Sequence, residues 1–232
     1  MIGRIRKIGL VLAALGLVFV AGGAYAGYQT YQGYESLQAF SAAQDVRLNY
    51  NEEGVLVDRG EPAGAQAIMT LLTEDWGYAV VEGDLNPNDP VVNTATEYMY
   101  QMATISYHTL NGVQTVVLPE DVTAQDGTVY KAGTYEFEVN GRYWTDFNRS
   151  NPIEAKAREQ AWTGTAHALI ANLGVGTVTA SALQMGLGLA GLFAGVGFLA
   201  IFAGLGLVWA TRAQEESAAP RVTTRLPAPI PA

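Results

Sequence analysis

Two long apolar stretches bracket a region of mixed pattern. Ile8 to Gly27 is twenty residues without a charge. As a helix it covers about 30 Å, the depth of one hydrocarbon core. Leu183 to Ala210 is a second uncharged run, of 28 residues. It would cover about 42 Å, so it must tilt or protrude if it spans. With their flanks, these runs predict one span over residues 8–27 and another over 178–211.

Between them the periodicity changes. Val46–Tyr50 and Val55–Asp58 are short strand candidates around the turn Asn51-Glu52-Glu53-Gly54. Ala65, Ile68, Leu71 and Leu72 make a helical stripe that Gly77 stops. Tyr78–Val81 reads as a strand. The next helix is predicted to start at Asp89 as N-cap with Pro90 in its first turn. Its apolar face would be Val91, Ala95, Tyr98, Met102 and Ile105, with Asn111-Gly112 as its end. Val113–Leu118 reads as a central strand. Asp126-Gly127 and Asn140-Gly141 are hairpin signals, the second expected to return along Arg142–Phe147. Around it Tyr135, Phe137 and Val139 alternate with Glu136 and Glu138, the mark of a half-buried strand. Asn151-Pro152 opens a last helix with Trp162, Ala166, Leu169 and Leu173 inward, broken at Gly174-Val175-Gly176. The expected fold is an α+β domain, residues 28–177, inserted between two transmembrane helices.

Charge changes this picture by adding a direction. The first seven residues carry +3, from Arg4, Arg6 and Lys7. Residues 29–177 hold 7 basic and 20 acidic side chains. Basic residues flank the outer end of each apolar run, which places both termini in the cytoplasm and the acidic middle outside it. The acidic middle also argues against nucleic-acid binding, which needs a basic face. The charged share of 15% falls below the soluble norm of roughly 25%. There are no cysteines, which excludes disulfides, thiolate metal sites and a cysteine nucleophile. The tail from residue 212 to 232 is Pro/Ala-rich and expected to be disordered.

Ala24-Tyr25-Ala26 resembles a signal-peptidase site, so cleavage there competes with anchorage. Continued helical spacing through Leu37 and Phe40 favours the anchor. Tyr25 and Tyr28 then fall at headgroup depth, as does Trp209 at the second span. Tyr31 and Tyr34 stand further along, where packing under the domain is expected. Gly23 with Gly27, and Gly191 with Gly195, form small-xxx-small pairs, which let helix backbones approach closely.

Candidate chemistry is sparse. His108 shares a polar helix face with Glu97, Gln101 and Thr104 and reads as a solvated helix-end histidine. His167 lies beside the Trp162 stripe and reads as partly buried. Two histidines and a carboxylate are the ingredients of a non-haem iron site, but no spacing supports one. Asp84, Asn86, Asn88 and Asp89 resemble the start of a calcium loop, yet the sixth and twelfth positions are Asp89 and Ala95 in place of the glycine and glutamate an EF-hand needs. No catalytic residue and no cofactor is expected.

The stretches "DLNPNDPVVNTATEYMYQMATISYHTLNGVQTVVL" and "GRYWTDFNRSNPIEAKAREQAWTGTAHALIA" resemble segments of uncharacterised two-span envelope membrane proteins of high-GC Gram-positive bacteria. The resemblance covers about residues 29–205 and implies the architecture just described, with no catalytic residues to carry over. Such proteins are sometimes labelled aromatic-ring-opening dioxygenases, a chemistry that the placing of His108 and His167 does not support. The leading expectation is a non-enzymatic accessory or assembly component of an envelope or respiratory membrane complex. Its partners would be the lipid bilayer and other membrane helices. The alternative is an external ligand-binding or sensing module on two anchors, and the third reading is a metal-dependent enzyme of the aromatic-ring-opening dioxygenase type using His108 or His167.

Overall fold

The computed structural model describes residues 2–218. It is a mixed helix and small-sheet structure in which two long apolar helices flank a small sheet region. The described chain forms two compact units. One comprises the described parts of Met1–Gln32 and Gln184–Ala232, the other Gly33–Leu183.

The first helix, α1, runs unbroken over Ile2–Gln44, and the last, α5, over Gly164–Ala218. Both are long and apolar enough to cross a membrane. α1 passes through Ala24-Tyr25-Ala26 without interruption. α5 takes in residues 212–218 of the expected tail; the rest of that tail lies outside the described residues. In the first unit the two helices run antiparallel with small residues between them. A methyl group added at Gly16 would stand 2.6 Å from the carbonyl oxygen of Gly197, and one at Gly197 would stand 2.7 Å from that of Gly16. Gly9 and Gly204 oppose each other in the same way, and Gly23 faces Ala190 and Ala194. Gly9, Gly16 and Gly23 on α1, and Gly204, Gly197 and Ala190 on α5, recur every seventh residue. That spacing keeps one stripe of a helix on its neighbour over several turns.

The second unit holds the rest of the elements. Pro62 opens α2 (Pro62–Thr70), which widens into a π turn over Leu71–Asp75, closed by Trp76 N–H donating to the Leu71 carbonyl at 3.0 Å. Ile68 and Leu72 of this segment are fully buried. α3 spans Ala95–Leu110 and starts later than expected. Residues 90–92 are extended instead, with Leu48 N–H donating to Pro90 O and Val92 N–H to Val46 O. Proline keeps its carbonyl as an acceptor although it lacks the N–H, so Pro90 serves this pairing. Thr94 is the N-cap, in a capping box with Glu97.

The sheet is smaller than the pattern predicts. β1 (Val113–Leu118) pairs antiparallel with β4 (Gly133–Glu138), Val116 opposite Tyr135. β1 is not central: Val116 and Leu118 are buried while Val113 and Val117 are more than half exposed. The Asp126-Gly127 hairpin forms between β2 (Val122–Thr123) and β3 (Val129–Tyr130). Asn140-Gly141 turns without making a hairpin, because Gly141 N–H donates to Leu110 O at the end of α3 and Arg142–Phe147 folds into turns. The candidates at 46–50 and 55–58 form only single bridges, and Tyr78–Val81 pairs with no strand. α4 covers Pro152–Ala161, N-capped by Asn151. The predicted last helix is divided at Trp162-Thr163, and α5 continues straight through Gly174-Val175-Gly176. Gly176 serves a close approach, not a break: a methyl there would lie 2.6 Å from the Tyr98 ring.

Candidate functional site

Why α3 has two inward sides is the key to the site. Thr96, Tyr100, Ala103, Tyr107 and Leu110 recur at four and three residues and form one stripe. Tyr100, Ala103 and Leu110 are buried, in clusters with Ile68 and Leu72 or with Leu71. The stripe expected from sequence, through Tyr98, Met102 and Ile105, lies on roughly the opposite side at 100° per residue. Of these, Tyr98 and Ile105 line a cavity of about 540 Å³.

Three helices, with Val46 and Val92 from the extended segments, wall that cavity, all within the second unit. The C-terminal end of α1 supplies Leu37, Phe40, Ser41 and Gln44; α3 supplies Tyr98, Gln101 and Ile105; α5 supplies residues from Leu169 to Thr179. Ser41 Oγ and Tyr98 Oη share a hydrogen bond of 2.7 Å, with both residues buried. The Tyr98 ring thus lies on Gly176 of α5 while its hydroxyl ties to α1. Sequence reasoning missed Ser41 and Gln101 as lining residues. The signal was present as polar residues beside an apolar stripe, but only the positions of α1 and α5 give them a common space.

Beside α3 lies a polar link. Glu97 is 1% exposed. Its Oε2 accepts from the N–H groups of Asn93 and Thr94, each at 2.9 Å, and from Thr94 Oγ1 at 3.0 Å. Burial holds its carboxyl above the ordinary glutamate range against those hydrogen bonds, and Asp89 adds to the rise. At the other end of α3, His108 is not a solvated helix end. Its Nε2 lies 2.9 Å from Asp58 Oδ1, in a half-buried pair that ties the 58–61 turn to the helix. Burial, Asp58 and Tyr50 together push the Tyr100 hydroxyl up.

His167 is also placed differently from expectation. It is exposed, with Nδ1 3.0 Å from Thr163 O and its ring edge-on to Trp144 at 5.1 Å. Trp144 also stacks under the Arg158 guanidinium at 3.9 Å. His108 and His167 are therefore held by different partners on different elements. Asp84, Asn86, Asn88 and Asp89 form a tight turn, with an Asn86–Asp89 bridge and Asn88 N–H donating to Asn86 Oδ1. Among the described residues no three His, Asp or Glu side chains converge as metal ligands would.

Of the small-residue pairs, Gly23 meets α5 backbone, and Gly27 would bring a methyl 3.6 Å from Ala190 Cβ. Gly191 and Gly195 have open space where a side chain would stand. The tyrosines at 25, 28, 31 and 34 are all more than half exposed. Tyr28 accepts from Gln32 Nε2 at 2.7 Å and Tyr25 from Gln29 Nε2 at 3.2 Å. Trp209 is 74% exposed. In comparisons with protein-family models, curated proteins and solved structures, the chain matches none of them.

Proposed function

We propose that this chain is a two-span integral membrane protein. Its termini face the cytoplasm, and residues 28–177 form an α+β domain on the other side. Its role is that of a non-enzymatic accessory or assembly component of a larger membrane complex. The observation that carries this reading is the seven-residue seam of Gly9, Gly16 and Gly23 against Gly204, Gly197 and Ala190. Lipid gives no hydrophobic drive to helix pairing, so spans associate where backbones can touch. The seam makes α1 and α5 one rigid anchor. Gly191 and Gly195 then remain on a different side of α5, available to a helix of another membrane protein. The unbroken α1 supports retention of the first span over cleavage after Ala26.

The test is purification from native membranes in several mild detergents. A membrane protein in fixed ratio should copurify with the wild type and be lost from the double variant Gly191→Leu/Gly195→Leu. A lone monomer in every detergent sinks the assembly role. The second reading, a ligand-binding module, is favoured by one observation, the cavity of about 540 Å³, which lies in the usual size range for small-molecule sites.

A further inference from the structure

The cavity between α1, α3 and α5 has a composition that selects its ligand. None of its lining residues is charged, although residues 29–177 carry 7 basic and 20 acidic side chains. Its polar groups are neutral: the Ser41–Tyr98 hydroxyl pair, the Thr179 hydroxyl and the amides of Gln44, Gln101 and Asn172. The remaining surface is mostly hydrocarbon, including Phe40, Leu169 and Val175 at 59%, 46% and 65% exposure. Apolar side chains left this open together mark a surface that meets something other than water.

From this we propose that the cavity binds an uncharged membrane amphiphile: a hydrocarbon chain on the apolar walls and a neutral, hydrogen-bonding head on the amides and hydroxyls. An ionic head would enter a site with no opposite charge to repay its desolvation. A small hydrophilic ligand would leave the apolar walls unused. The bilayer is the source, because the lining segments of α1 and α5 belong to the same helices as the two apolar runs. In this respect the inference rests on the membrane reading above.

The experiment uses the full chain in phosphatidylcholine vesicles with a diazirine-bearing monoacylglycerol, and separately with a phosphatidylglycerol carrying the same diazirine chain. After irradiation, the neutral probe should mark peptides containing Tyr98–Ile105 and Leu169–Thr179. That labelling should fall about fivefold or more in Leu169→Trp and in Thr179→Trp. Both positions are exposed, and unchanged circular dichroism would show that the variants fold. Equal labelling of the variants, label confined to residues 8–27 and 183–210, or preference for the anionic probe overturns the inference. Flotation of the vesicles separates the two failures. Protein that floats but is not labelled in the cavity defeats this proposal alone, and protein that does not float defeats the membrane reading with it.

Discussion

Glu97 shows how much one side chain carries. Its carboxylate holds two buried N–H groups at the start of α3 and accepts from the Thr94 hydroxyl, yet burial works against its charge. Glu97→Ala strands those donors and should cost about 1–3 kcal/mol, read as a lowered midpoint of thermal unfolding in detergent. Glu97→Gln keeps an acceptor and removes the titration. Because the folded pKa is raised, the stability Glu97 contributes is complete below the ordinary glutamate range and is lost as pH rises through the shifted value. Glu97→Gln should therefore gain on the wild type as pH rises from that range. Asp121 and Asp126 are shifted the other way, by the Lys131 ammonium and by hydrogen bonds from Thr128. They are the same in both proteins, so they cancel in the difference. A difference flat with pH would refute the assignment. Gly176 is a second case. Gly176→Ala drives a methyl into the Tyr98 ring and should cost about 1–3 kcal/mol by overpacking, whereas Gly174→Ala, with open space at that position, should cost far less.

Among the elements, the paired long helices allow the sharpest test, since a chain without cysteine gives a clean background for engineered disulfides. The Cβ positions of residues 27 and 190 would stand 3.6 Å apart, within the spacing a disulfide needs. Gly27→Cys/Ala190→Cys should close on mild oxidation, seen as a mobility shift without reductant. Gly27→Cys/Gly191→Cys should not, because residue 191 faces away. Adding Gly197→Val, which presses on the Gly16 carbonyl and Val20, should reduce closure of the first pair. The small-xxx-small reading singled out Gly23 and Gly27 on α1 and Gly191 and Gly195 on α5, and the last two have open space beside them. The small residues of α5 that lie against α1 include Ala190, Ala194, Gly197 and Gly204. Spacings of four and of seven coexist in a glycine-rich helix, and only the neighbour's position tells them apart.

For the molecule as a whole, cysteine labelling tests the proposed direction across the membrane. Gln125→Cys lies in the exposed hairpin between β2 and β3, and Gln214→Cys lies near the described end of α5. A membrane-impermeant maleimide applied to intact cells should label the first and reach the second only after permeabilisation. The reverse pattern would overturn the orientation drawn from Arg4, Arg6, Lys7 and Arg212.

Properties that depend on residues near one another in the chain were legible in the sequence. They include the two apolar runs, the Asp126-Gly127 hairpin, the Asn151 cap and the alternation of Tyr135 and Phe137 with glutamates. Each is local physics: hydrophobic length, turn chemistry, capping, pleat. Tertiary structure decided what depends on distant partners. α3 is apolar on two sides, and pattern alone cannot say which side meets the core and which walls a cavity. Asp58 and Glu97 look like surface carboxylates until His108 and residues 93–94 are found against them. Gly176 reads as a helix breaker until Tyr98, 78 positions earlier in the chain, is found lying on it.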